Sequence, residues 1–208
     1  MKKCKVYGVG VNDADYPAHQ YAKVNNKYKI VWRCPLYRAW ESMIKRCYSE
    51  KYHQTKPTYS GCSVCDEWLT FSNFKSWMEK QDWKDQELDK DLLVEGNKTY
   101  SPATCLFVDR KINTFVTDGG ARRGEYMIGV SWKKDRNKFQ SHCCNPFTGK
   151  REFLGYFTDE LEGHLAWKAR KHELSCQLAD SDLVQDARLA HVLRTKYSPD
   201  TTQEVKAA

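Results

Sequence analysis

The chain reads as an α+β protein, and three observations carry that reading. Leu88 to Phe115 runs strand, turn, strand, helix. Residues 128 to 171 run as three short strands and then a helix. In residues 36–47 and again in 71–78, apolar side chains recur at helical spacing rather than alternating. The length, 208 residues, suits one large or two small domains.

In chain order, Lys5 to Val11 suggests a strand with glycine kinks, and Asn25-Asn26 marks a turn. Neither carries visible chemistry. Leu36, Trp40, Met43, Ile44 and Cys47 form one apolar helix face, with Pro35 in the first turn and Arg38, Lys45 and Arg46 opposite. Those cations are a solvated face or phosphate contacts. Residues 49–61 have loop composition, with His53 among them. A second helix follows Thr70, striped by Phe71, Phe74, Trp77 and Met78.

Leu88–Leu93 then gives a strand around Asp89-Lys90-Asp91, Val94–Pro102 a turn, and Thr104–Val108 a second strand. Asp109 is placed to cap a helix through Phe115. A carboxylate on the first strand and an amide, Asn113, on the helix are donor types that a hard divalent cation takes. Asn97, after Gly96, reads as a turn residue.

Gly119 to Gly124, with Arg122 and Arg123, reads as a linker. The expected domains are therefore 1–118, 119–178 and a C-terminal helix with a tail, 179–208. In the second domain, strands are expected at 128–132, 138–143 and 150–157, with a hairpin turn at Asn145–Gly149. A helix capped by Thr158 runs through Arg170-Lys171. From Gly119 to Arg151, eight Lys/Arg face two Asp/Glu, so the positive charge lies on the strands. Lys138, Gln140 and His142 share a parity and hence a face. A narrow basic sheet suits a DNA groove, and an ordinary solvated face is the plainer alternative.

The net charge of +7 favours an acidic partner such as nucleic acid. No apolar run reaches membrane-span length, and the start shows no long apolar signal core. Nine cysteines, an odd count, read as reduced thiols. Cys62 and Cys65 form a CxxC that Cys34 and Cys47 would complete as a structural zinc site, but Cys47 sits on an apolar helix face. Packing thiols are the favoured reading over zinc.

Two segments resemble known families. LYRAWESMIKRCYS, CSVCDEWLTFSNFKSWM and LDKDLLVEGNKTYSPATC with the following FV and Asn113 resemble phage HNH endonucleases of the homing type. GVSWKKDRNKF and REFLGYFTDELEGHLAW resemble the ethylene-response-factor (APETALA-type) DNA-binding domain. The first resemblance implies a ββα-metal nuclease core with helical additions. The second implies a three-stranded sheet on one helix that reads the major groove. Together they imply a phage-encoded, metal-dependent endonuclease acting on double-stranded DNA in the host cytoplasm, with magnesium or manganese as cofactor.

By that resemblance Asp89 and Asn113 are the metal ligands. Lys90 stands where the family has its histidine base, and Thr104 at the family's central Asn. Lys90 is protonated at an ordinary pKa of about 10.4, so it suits a phosphate clamp better than a base. Asp91, expected to share the strand face of Asp89, is a second ligand or the base. Tyr100 is a candidate for orienting water, and His53 for approaching from its loop. Trp132, Lys133, Lys134, Arg136, Lys138, Gln140, His142 and Arg151 are the candidate DNA contacts, with Arg122 and Arg123 reaching a minor groove. The competing class is a DNA-binding or regulatory protein that kept the fold without cutting, or an inhibitor of a host protein.

Overall fold

The structure is a computed structural model that describes residues 5–117 and 124–199. It is mixed α and β with small sheets, in two compact units that part between Val108 and Asp109. Each unit is taken by itself. The expected boundary at 118, most of the glycine linker, Arg122 and Arg123 lie outside the described residues.

In the first unit, β1 (His19–Val24) and β2 (Lys27–Arg33) form an antiparallel hairpin. Its two-residue turn puts Asn25 and Asn26 at φ 51° and 60°, the positive-φ pair that matches the twist of the strands. α1 (Pro35–Tyr48) buries Tyr37, Trp40, Met43, Ile44 and Cys47. Residues 49–61 are not all loop: α2 (Glu50–Thr55) is capped by the Ser49 side chain. It buries no residue, so no apolar stripe marked it. β3 (Ser63–Val64) pairs in parallel with β5 (Thr99–Tyr100). α3 (Phe71–Met78) buries Phe71, Phe74 and Met78 against α1, and Trp40 Nε1 donates to the Trp68 carbonyl at 2.7 Å.

The strand expected over Lys5–Val11 is a tight loop. Val6 N–H bonds back to the Gly10 carbonyl at 2.8 Å, with Tyr7 and Gly8 at positive φ. β4 (Gln86–Asp89) pairs with β6 (Leu106–Asp109). The first strand therefore stops at Asp89 rather than running on to Leu93.

The second unit opens on α4 (Arg110–Val116), capped by Asp109 as expected. β7 (Val130–Lys133), β8 (Lys138–Cys144) and β9 (Arg151–Phe157) form an antiparallel sheet in that order. α5 (Glu160–Ala179) packs across one face of it. Asp159 rather than Thr158 caps that helix, because its carboxylate accepts the Glu162 N–H. Gly129 lies at φ +85° over Trp167, where an added Cβ would fall 2.2 Å from the indole ring. Only glycine serves there on both counts. Arg170 on α5 grips Glu152 on β9 at 2.8 Å. α6 (Ala187–Thr195) buries Leu189 and Leu193 against α5, and Ser175 Oγ donates to the Leu193 carbonyl. Among the described residues no helix is long and apolar enough to cross a membrane.

Candidate functional site

The end of β4 explains why the strand stops. Asp89 Oδ1 accepts the backbone N–H of Asp91 at 2.9 Å and of Leu92 at 2.7 Å. Those two donors are thereby drawn into an Asx turn and are lost to a ladder. Asp91 reaches Asp89 through this turn and not by sharing a strand face. The two carboxyl groups lie against each other. Burial first, then the Asp91 charge, holds Asp89 above the usual carboxylate range despite the two N–H bonds.

Lys90 is 6% exposed, and its ammonium donates to Asp91 Oδ2 at 3.0 Å. Burial pulls its pKa down. Asp91, with smaller help from Cys62 and Asp89, more than offsets this and leaves it raised. The ammonium is therefore a firmly held cation, occupied by the Asp91 carboxylate. Asn97 Nδ2 fixes the loop by donating to the carbonyls of Lys90 at 2.6 Å and Thr99 at 2.7 Å. Thr104 Oγ1 donates to the same Thr99 carbonyl. Asn97 is a turn residue, as read.

Tyr100 is 1% exposed, and burial raises its phenol pKa. Arg46 Nη1 reaches its hydroxyl and the Leu88 carbonyl, each at 3.5 Å. The guanidinium also lies 5.8 Å from the centre of the Tyr59 ring. Arg46 therefore faces the Asp89 turn and is not simply on a solvated helix surface. His53 Nε2 makes a 2.8 Å hydrogen bond with the Arg46 carbonyl, so it braces α1. Tyr59 was missed, having no motif around it.

Asn113 belongs to the second unit, half-buried on α4, where its carbonyl accepts Thr117 N–H and Oγ. Of the four cysteines weighed as a zinc set, Cys34, Cys47 and Cys62 are buried and Cys65 is half-buried. Burial pushes the Cys47 thiol up to about 12, and Cys105 likewise. Among the described residues no group of three or more His, Cys, Asp or Glu side chains is arranged to hold a metal.

On the sheet, the register pairs Ser131 with Gln140 and Lys133 with Lys138, and β8 buries Ser141 and Cys143. Lys133, Lys138, Gln140 and His142 thus share the face turned from α5, which Tyr156 and Arg151 join through their partners Gln140 and Cys144. Trp132 pairs with Phe139 on the opposite parity and meets its ring edge-on at 4.8 Å, so it belongs to the helix side. Lys134 and Arg136 sit in a 3₁₀ turn between β7 and β8, and Arg136 lies 4.8 Å over the Tyr156 ring. Phe153 packs between His142 and Tyr156 and is exposed. Burial, then Arg151, lowers the His142 pKa, so the ring is neutral near pH 7.

No protein family, curated protein or solved structure matches the chain.

Proposed function

We propose that the chain is a metal-dependent DNA endonuclease of the HNH homing type, with the second unit gripping duplex DNA. The observation that carries it is the Asp89–Asp91 pair. The two carboxyl groups lie together at a strand end, where burial first and then the Asp91 charge raise the Asp89 pKa despite its two backbone N–H bonds. Oxygen donors of that kind fit magnesium or manganese. Asp89 is the proposed ligand of the first unit, with Asp91 beside it. Asn113→Ala in the cleavage assay below tests the other ligand that the resemblance names.

When bound, the cation supplies a Lewis acid for the phosphoryl oxygens. The rest falls to side chains. Lys90 holds Asp91 in place through its 3.0 Å ion pair. Arg46 offers a second positive charge to the phosphate, with Tyr100 steadying it. Asp91, half in solvent, is the group free to take a proton from water. The basic face of β7–β9 supplies affinity through phosphate contacts.

One observation favours the non-cutting alternative. Asp89 already has a structural task as the acceptor of the turn, which accounts for it without chemistry. Asp89→Asn separates the two readings, because an asparagine Oδ1 accepts the same N–H groups. A carboxylate with a raised folded pKa stabilises only while protonated and loses that contribution as pH rises through the folded value. At neutral pH the metal-free variant should therefore melt at or above the wild-type temperature. Plasmid cleavage with magnesium or manganese should fall at least about 100-fold. The thermal stabilisation that the metal gives wild type, RT ln(1 + [L]/Kd), should vanish. Equal cleavage by both proteins would move the site elsewhere. A wild type that binds DNA and cuts with neither metal would leave the binding reading.

A further inference from the structure

The β1–β2 hairpin has no place in the function above, yet it is the most exposed regular element of the first unit. Every residue of β2 is exposed, with Tyr28 at 78%, and Tyr21 on β1 is 62% exposed. Val31 and Trp32 are also largely open to water. From His19 to Arg33 there are four Lys/Arg and no Asp/Glu. A bare two-stranded hairpin is marginal in water. This one is held at its base, where Cys34 N–H donates to the Ala18 carbonyl at 2.9 Å and His19 meets Tyr37 edge-on at 5.4 Å.

The register places cations on both faces. Lys23 pairs with Tyr28 beside the pair Tyr21–Ile30, whereas Lys27 and Lys29 share the other face with Val24 and Ala22. A ribbon buried on neither side, carrying aromatic and aliphatic groups between lysines, is built to be enclosed. A two-stranded antiparallel ribbon has the width that the major groove admits, and the groove has phosphates on both walls. Open apolar surface of this kind marks an interaction site.

We infer that the β1–β2 ribbon is a DNA contact in its own right, entering a groove of the duplex with Lys23, Lys27 and Lys29 on the phosphates and Tyr28 near the tip. Duplex DNA as the ligand rests on the proposed function. The contact itself does not depend on cleavage.

The test is fluorescence anisotropy of the full chain on a labelled 30-base-pair duplex in EDTA across a salt series. Each lost phosphate contact lowers the slope of log K against log salt by about 0.9, so Lys23→Gln/Lys27→Gln/Lys29→Gln should lower it by about 2 to 3. Tyr28→Ser should weaken binding about tenfold, the loss expected when an aromatic side chain buried in an interface is removed. Both variants change exposed side chains, and an unaltered melting temperature confirms the fold. Wild-type slope and affinity in both variants, with binding lost in Lys133→Gln/Lys138→Gln/Arg151→Gln, would overturn the ribbon contact and leave the DNA reading standing. A wild type that binds no DNA would overturn both. Unchanged DNA binding with a dimer-to-monomer shift in sedimentation would make the ribbon a self-pairing edge, and overturn the inference.

Discussion

Among the described residues each unit buries one lysine, and the two are held differently. Lys90, in the first unit, is neutralised by the Asp91 carboxylate, with Asp89 close by. Lys171, in the second, is 9% exposed. It donates to the Phe115 carbonyl and lies 3.5 Å from the centre of the Phe115 ring, within 6 Å of Trp167 and Tyr197. Charge–quadrupole contacts and a fixed carbonyl pin one arrangement, joining α4, α5 and the chain after α6. An ion pair with an exposed carboxylate can exchange partners when a phosphate or a cation arrives. On the proposed function, Lys171 serves the architecture and Lys90 the chemistry.

Replacing each lysine puts that division at risk. Lys171→Ala strips a carbonyl of its donor and opens a gap under three aromatic rings. The expected loss is about 3 kcal/mol. It would be read as a roughly 100-fold fall in hydrogen-exchange protection across 110–116 and 160–179, with the first unit unaffected. Protection kept in full would deny Lys171 its role as a pin. Lys90→Met keeps the volume and should change stability by less than about 1.5 kcal/mol. Its effect belongs in the pH profile. Removing a positive charge beside Asp89, whose pKa is already raised, disfavours its ionised form further, so the acid limb of cleavage should move to higher pH. An unmoved limb would make Lys90 structural as well. Smallest is Tyr100→Phe, which removes a long 3.5 Å contact to Arg46 and should cost cleavage less than about fivefold. A loss beyond 100-fold would instead put that hydroxyl on the reacting water.

What could be read from the chain followed burial. α1 and α3 each press one face into the core, so their apolar spacing announced them. The sheet of the second unit is covered on one side only, and its alternation showed in Lys138, Gln140 and His142 against Ser141 and Cys143. The β1–β2 ribbon is covered on neither side, so its residues need not alternate and only Asn25-Asn26 hinted at it. α2 buries no residue and was read as loop. Trp132 was a candidate DNA contact with packing on the helix as its alternative, and its pairing with Phe139 puts it on the helix side. At the site, Asp89, Lys90 and Asp91 were found together as expected, but through an Asx turn that a strand-based reading cannot supply. Arg46 lies forty-two residues before Leu88, the carbonyl it reaches, and only tertiary packing brings them together.

That turn has a consequence for how such a chain changes over generations. Asn can take over the acceptor role of Asp89, and the two residues differ by one base in their codons. On the proposed reading, cutting and folding part company at this position. A line carrying the endonuclease lies one point mutation from a protein that still folds and still holds DNA, and a single reversion restores the activity.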